Sequence, residues 1–434
     1  MFGIGKIKKS SFGVSKLIRV DLCQLRERVL VHKTQTREGG SGATPPCGHN
    51  FPVQWFLVEG PYALVTLTVS LYINYLFISV LYCTFSHPPP TPFDSPIMAI
   101  TFGTIGTGWI TEAFIKAATK KGQWQLHAVY SRKQEQAEAF ASKFDCKTTY
   151  TSLDDLAADK SMQAVYIASP NSHHYAHAKQ LLQAGKHVIL EKPATSTPAE
   201  LDDLFATAKQ HKVFLIEAFR HIQEANFKLL REEILEKKRL GPIYGASLTY
   251  ASYSSRYNNV LAGETPNIFS LDFSGGSLVD IGVYPVTFAV ALFGAPKSQT
   301  YVPFICRTGV DGGGVIMLQY DGFGLQINQS KSYQSFAPCE IYGEKGTLSV
   351  NATTDITSVS HWDPKSKKSE ELAGPLRDPK AQVNMEEEAE EFARIVSEKD
   401  EQAAGELERI SKDVIKVTSE LRRQGGIVYP ADKA

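Results

Sequence analysis

Cysteine is scarce and charge is balanced, and each shortage removes a class of protein from consideration. The six cysteines, Cys23, Cys47, Cys83, Cys146, Cys306 and Cys339, are scattered through 434 residues, with no CxxC pair and no histidines nearby at zinc spacing. That pattern reads as reduced thiols, with neither a disulfide framework nor a metal site. Lys plus Arg and Asp plus Glu number 46 each, so electrostatics offers a nucleic-acid partner no support. No internal repeat of solenoid period is present. A chain of this length exceeds one ordinary core and predicts two or three domains.

Residues 1–97 form a leader unlike the rest. They carry nine Lys or Arg against five Asp or Glu, so the leader is basic and the body mildly acidic. Residues 60–86 contain no charge, and the run 62–83 (YALVTLTVSLYINYLFISVLYC) is long enough to cross a bilayer as one helix. It lies too far from the terminus, and is too long, for a simple cleavable signal peptide. Its nine positive charges all precede the run, so the positive-inside rule keeps the N-terminus cytosolic and sends the body across the membrane. A proline-rich spacer, HPPPTPFDSP at 87–96, then leads to Met98, directly before the first strand of the body. The expectation is a coreless or non-native leader; a working anchor is the alternative. The sequons at Asn328 and Asn351 matter only with an anchor.

From Met98 the pattern alternates between strand and helix. Residues 99–105 (AITFGTI) read as a buried strand, and 126–130 (LHAVY), 164–169 (AVYIAS), 187–190 (HVIL) and 213–219 (VFLIEAF) as its neighbours. Between them lie helical stretches, one over 173–184, another opened by Thr197, Pro198 and Glu200 as cap, first-turn proline and capping-box partner. This predicts a Rossmann-type α/β domain over 98–220, a doubly wound parallel sheet that binds ligands outside the carboxyl ends of its strands. The first strand exits through Gly103, Gly106, Thr107, Gly108, Trp109 and Ile110, a tight turn whose backbone amides could meet a pyrophosphate at a helix N-terminus. Thr111 stands where the fingerprint has its third glycine. The second strand ends in Ser131 and Arg132, where an NAD site carries an acid for the ribose hydroxyls. A guanidinium there suits a 2′-phosphate, so NADP is favoured and NAD remains possible.

After about residue 220 long alternating strands take over, at 243–253, 301–307, 315–320, 324–330, 339–342 and 347–350. They predict an α+β domain over 221–434 with a large, mostly antiparallel sheet. Apolar residues on both phases of GGVIMLQY (313–320) predict burial of that sheet on both faces. Helices at 385–397 and 402–423 are expected to pack around it, with their Glu-rich face in solvent.

Three blocks resemble the glucose-fructose oxidoreductase and inositol dehydrogenase family, Gfo/Idh/MocA: GTIGTGWI (103–110), IASPNSHHYAHAKQLLQAGKHVILEKP (167–193) and GGSLVDIGVYPV (275–286). The resemblance runs from Met98 to the end and covers none of the leader. Tyr284 stands where inositol dehydrogenases of the family usually carry His, which makes the chain more similar to the dihydrodiol and xylose dehydrogenase branch. It implies hydride transfer between a nicotinamide and the CH–OH or C=O of a sugar, polyol or vicinal diol, by a cytoplasmic enzyme that dimerises through its second sheet.

Such chemistry needs a proton donor or acceptor beside the reacting oxygen. Lys192, between Glu191 and Pro193 at a strand end, is expected to have a lowered pKa beside a cationic ring and to stabilise the developing alkoxide. Asp280 and Tyr284, four residues apart, share a face if Gly282 is accommodated in a helix. Tyr284 is the expected acid/base, and Asp280 is expected to orient the substrate or Lys192. Ser169, Pro170, Asn171, His174 and Glu191 join the cofactor-binding set by resemblance. By itself, His174 reads more often as a helix-cap or core histidine. Arg220, with His221 beside it, could bind substrate oxygens or form a hinge ion pair. A non-catalytic NADP-binding sensor is the competing class, against which Lys192, Asp280 and Tyr284 together argue.

Overall fold

The computed structural model describes residues 99–374 and 383–433. The expectations for residues 1–97, including the run 62–83, lie outside the described residues.

Strand β1 (Ile100–Ile105) is enclosed because its residues are apolar on both phases, as a parallel strand covered on both faces requires. Strands β2 (Trp124–Tyr130), β3 (Thr148–Tyr150), β4 (Ala164–Ile167), β5 (His187–Leu190) and β6 (Leu215–Glu217) join it in the order β3-β2-β1-β4-β5-β6, all parallel. The order reverses between β1 and β4, which makes that crevice the ligand-binding edge of such a sheet. Register keeps the edge level, with Ile105 opposite Ile167, Ile167 opposite Leu190 and Leu190 opposite Glu217. Residues just beyond these positions therefore face one another. Beneath them Phe114 stacks on Tyr166 at 3.9 Å, with Phe102 and Trp124 edge-on to Phe114. The helix Pro198–His211 begins with the expected capping box, closed in both directions between Thr197 and Glu200.

The second sheet has eight strands: β7 (Ile243–Ala251), β8 (Ser298–Ile305), β9 (Asp311–Gln319), β10 (Gly324–Ser330), β11 (Cys339–Gly343), β12 (Gly346–Val350), β13 (Val359–Asp363) and β14 (Lys368–Glu371). Their order is β14-β13-β12-β11-β7-β10-β9-β8, with β7 and β10 parallel and the other pairs antiparallel. Residues 359–363 and 368–371 form strands that the sequence reading missed, since VSHWD and KSEE lack apolar alternation. Over its inner face lies the helix Val283–Phe293, almost wholly buried. The apolar segment containing it, Leu271–Phe293, is the one stretch among the described residues long and apolar enough to cross a membrane. It is 89% buried within the protein, as a core helix is.

Within this chain the outer phase of the second sheet is left open, with Val302, Val315 and Met317 exposed, Val302 at 68%. Two expectations for the C-terminal helices are corrected. The C-terminal helices, Glu386–Glu398 and Glu401–Gln424, return to the first sheet as well as covering the second. The Trp124 indole donates to Ala389 O at 2.8 Å, and Lys412 pairs with Asp202. Nor is their glutamate face uniformly solvated. Glu388 is only 1% exposed, and neither of its carboxylate oxygens has a hydrogen-bond partner among the described residues. Burial, reinforced by Glu191 and Glu224 nearby, holds its carboxyl well above the usual range despite Arg220.

A carboxyl kept neutral in the folded state but free to ionise in the unfolded chain costs stability as pH rises past its ordinary value of 4.5. Glu388→Met is therefore expected to stabilise the protein by about 1 kcal/mol or more at pH 8. The gain should shrink towards pH 4.5, as read by denaturant melts at both values.

Candidate active site

The turn between β1 and the helix Trp109–Thr119 depends on Gly106. Its φ is +111°, and a Cβ would lie 2.6 Å from Ala168 O, so only glycine lets β1 and β4 exit side by side. Gly103, inside β1, faces the Met162 sulfur, which a Cβ would strike. Gly108 caps the helix with extended backbone and open space around it. Thr107 precedes it, Trp109 opens the helix at 66% exposure, and Ile110 is half-buried. Thr111 is fully buried, so the methyl and hydroxyl that replace the third glycine are absorbed by packing. Across the crevice, beyond β2, Ser131 donates to Gln136 at 3.3 Å. Arg132 is exposed, and its guanidinium has no ion-pair partner among the described residues.

The loop after β4 is held by its own histidines. His174 is buried, with Nδ1 2.9 Å from Pro193 O and Nε2 2.8 Å from Ser169 O. Burial pulls its pKa down to about 4, and the neutral ring can donate from one nitrogen at a time. It braces the loops after β4 and β5 against each other instead of lining the cleft, which corrects its place in the cofactor set. The Ser169 hydroxyl meets His177 Nδ1 at 3.1 Å. Pro170 leads into the short turn Asn171–His173, and the Asn171 amide donates to Ser274 O at 3.0 Å. That bond ties the β4 loop to the segment leading to Asp280.

Glu191 also turns away from the expected site. Side chains alternate along the extended chain, so the residue before Lys192 points into the interior. There it accepts the Tyr166 hydroxyl at 2.5 Å, and burial raises its pKa.

Lys192 points into the cleft, followed by a cis peptide to Pro193. Its ammonium donates to Asp280 O at 2.7 Å and Asp280 Oδ1 at 3.1 Å, and lies 4.7 Å from the centre of the Tyr284 ring. Gly282 is accommodated as the last residue of a π turn, Leu278–Gly282, which runs into the helix Val283–Phe293. Asp280 and Tyr284 thus face the same ammonium. The second oxygen of Asp280 is taken by Lys331, at the end of β10, a residue that no motif or spacing had marked.

The electrostatics follow from this placement. Burial disfavours the Asp280 carboxylate, but the Lys331 and Lys192 ammoniums outweigh it and hold its pKa well below the usual carboxylate range. Burial likewise pulls Lys192 down, yet Tyr284, Asp280 and Glu191 together raise it above its ordinary value, the reverse of the lowered value expected. Lys192 is a fixed hydrogen-bond donor and not a base.

The ring of Tyr284 is enclosed by Lys192 on one side and by Arg220 at 5.7 Å, with His221 and Tyr250 edge-on at 5.0 and 5.5 Å. Arg220 itself is not available to substrate. It is buried, bidentate to Asp355 at 2.8 and 2.7 Å, and 3.6 Å from Glu224, so the hinge ion pair replaces the substrate contact. Asp355 went unnoticed because it lies 135 residues away. The C-terminal segment adds a further brace: Arg422 donates to Ser196 O at 2.9 Å, and the Tyr429 hydroxyl to Gly275 O at 2.7 Å.

A dinucleotide fits these residues. The glycine turn brings backbone to the N-terminus of an 11-residue helix at the sheet's crossover crevice, and Arg132 stands beyond the neighbouring strand without a counter-ion among the described residues.

Comparison with known proteins agrees with this arrangement. Residues 100–219 match the oxidoreductase family with an NAD-binding Rossmann fold, and residues 230–349 match the GFO/IDH/MocA C-terminal domain. The scyllo-inositol 2-dehydrogenase (NADP(+)) IolU of Bacillus subtilis is 39% identical over 338 residues, covering 77% of this chain and 100% of that protein. The trans-1,2-dihydrobenzene-1,2-diol dehydrogenase of Mus musculus is 30% identical, over 58% of this chain and 75% of its own. In fold, the chain is similar to a 3-ketoreductase from Actinomadura kijaniata, solved in complex with TDP-benzene and NADP. The TM-score is 0.63 at 21% identity, covering 75% of this chain and 97% of that one. The sheet order, the crossover turn and these matches together place the chain in the GFO/IDH/MocA family of nicotinamide-dinucleotide-dependent oxidoreductases.

Proposed function

We propose that this protein interconverts a secondary alcohol and its ketone on a sugar, polyol or vicinal diol, with NADP as the redox partner. The observation that carries the reading is the convergence of Lys192 and Tyr284 at the carboxyl end of β5, with Asp280 fixing the lysine. The two dehydrogenases to which the chain is similar are named for six-membered rings bearing adjacent hydroxyls, which favours that class of substrate.

A nicotinamide dinucleotide, when bound, supplies or accepts the hydride at the reacting carbon. Gly106, Thr107, Gly108, Trp109 and Ile110 would hold its pyrophosphate, Ser131 and Arg132 the adenosine ribose with its 2′-phosphate, and Ser169, Pro170 and Asn171 the nicotinamide ribose. The proton is this chain's responsibility. In oxidation the substrate hydroxyl gives its proton to the Tyr284 oxygen, and in reduction it is returned. Lys192 has one N–H left after its two bonds to Asp280, and it donates this to the same substrate oxygen as negative charge develops there. A protein that only sensed the nucleotide would have no use for a tyrosine and a lysine paired in this way.

The division into a dinucleotide-binding half, 98–220, and a substrate and dimerisation half, 221–434, belongs to the same reading. The outer face of the second sheet supports a homodimer. Val302 pairs with Val315 across β8 and β9, Met317 lies two pairs further along on the same face, and all three are exposed. Cys146, Cys306 and Cys339 are free, buried thiols, which suits a reducing compartment, and the cytoplasm is the location proposed.

Three measurements test this. Tyr284→Phe is expected to lower kcat by about 10²-fold or more while leaving NADPH affinity within a few-fold; an unchanged kcat in steady-state assays excludes the assignment. Arg132→Gly is expected to lower kcat/KM for NADP by roughly ten- to a hundredfold and to spare NAD, the loss of a charged hydrogen bond to phosphate. Val302→Asp combined with Met317→Glu is expected to convert a dimer to a monomer in sedimentation; wild-type protein that sediments as a monomer refutes the interface.

A further inference from the structure

Lys331 is a lysine with more charge and more donors than its surroundings use. Only 8% exposed, it cannot carry its ammonium out to solvent as long lysines normally do. Its backbone is pinned on both sides: its amide donates to Gly312 O and its carbonyl accepts from Ser254 N, each at 2.9 Å. Its ammonium lies 5.9 Å from the centre of the buried Phe269 ring and pairs with Asp280 Oδ2. Asp280 is already shared with Lys192, so one carboxylate faces two ammoniums and an excess positive charge remains. Glu191 takes none of their donors, because that carboxyl accepts from Tyr166.

The donor count points the same way. An ammonium has three N–H groups. Lys192 spends two on Asp280 and Lys331 spends one, which leaves one and two respectively. Because the two nitrogens are bridged by the two oxygens of a single carboxylate, the unspent donors belong to one cluster. Two oxygens on adjacent carbons of a substrate would satisfy both. One is the reacting oxygen, between Lys192 and Tyr284, and the other is its neighbour.

We propose that Lys331 is a substrate-binding residue for the oxygen next to the reacting carbon, making the enzyme selective for vicinal diols and α-hydroxy ketones over simple secondary alcohols and ketones. This rests on the reading of Lys192 and Tyr284 as the groups at the reacting oxygen. The same contact explains why the site needs a second lysine: Asp280 alone would orient Lys192.

The test compares reduction of 2-hydroxycyclohexanone and cyclohexanone with NADPH by the full chain. Wild-type enzyme is expected to favour the hydroxy ketone by about tenfold or more in kcat/KM, the worth of one hydrogen bond to a charged group. Lys331→Met should lower kcat/KM for the hydroxy ketone at least tenfold more than for cyclohexanone, chiefly through KM, and Lys331→Arg should restore part of the preference. NADPH fluorescence titration checks that each variant is folded, with Lys331→Gln as the second variant should the methionine form fail. Equal losses on the two ketones would make Lys331 a brace for Asp280 and overturn the inference alone. Wild-type enzyme that reduces neither ketone, nor oxidises any ring diol, would overturn the functional reading together with it.

Discussion

The carboxylate of Asp280 accepts from Lys192 on one oxygen and from Lys331 on the other, and these lysines stand at the ends of β5 and β10, strands of different sheets. Three charged groups removed from water carry a large desolvation cost, recovered only when each keeps its partners in place. The arrangement therefore demands that both sheets be positioned before the site exists. Conversely, the triad fixes the Lys192 ammonium where the following turn of helix presents Tyr284. The rest of the site is arranged around this bridge.

Other polar ties make the placement rigid. Arg220, from the helix after β6, grips Asp355, while Glu224 accepts the backbone amides of Asp355 and Ile356 at 2.8 Å each. Burial pushes Glu224 up to about 7, so its ionisation depends on Arg220 and those amides. Arg220 is thereby held near the Tyr284 ring. Arg422, in the helix Glu401–Gln424, and Tyr429, just beyond it, bind the loops at Ser196 and Gly275. These contacts brace the elements that carry Lys192, Asp280 and Tyr284.

Most strands of the first sheet were legible because a parallel strand buried on both faces must be a short, continuous apolar run, as in β1, β4 and β5, whereas the half-buried β3 (TTY) and the strand order were not. The helix at Thr197 was equally plain, since its cap is local chemistry among Thr197, Pro198 and Glu200. Side-chain direction was harder. Glu191 and Lys192 are neighbours in a motif, yet alternation sends one into the core and the other into the cleft. His174 and Arg220 drew attention as polar residues at strand ends and proved to be internal struts. The apolar residues on the outer phase of β9 mark a surface suited to cover without saying whether the same chain provides it.

By itself, the sequence determined what short-range rules encode: the alternating units of the dinucleotide-binding half, the glycine turn, the capping box, and a lysine and a tyrosine in blocks with a recognisable resemblance. Only the tertiary structure decided that Asp280 would be shared between two lysines, that Lys331 belongs beside the site, and that Glu388 lies unpartnered in the interior. The reason is separation along the chain. Asp280 is 88 residues from Lys192 and 51 from Lys331, and no local pattern records which distant charge a buried group will meet.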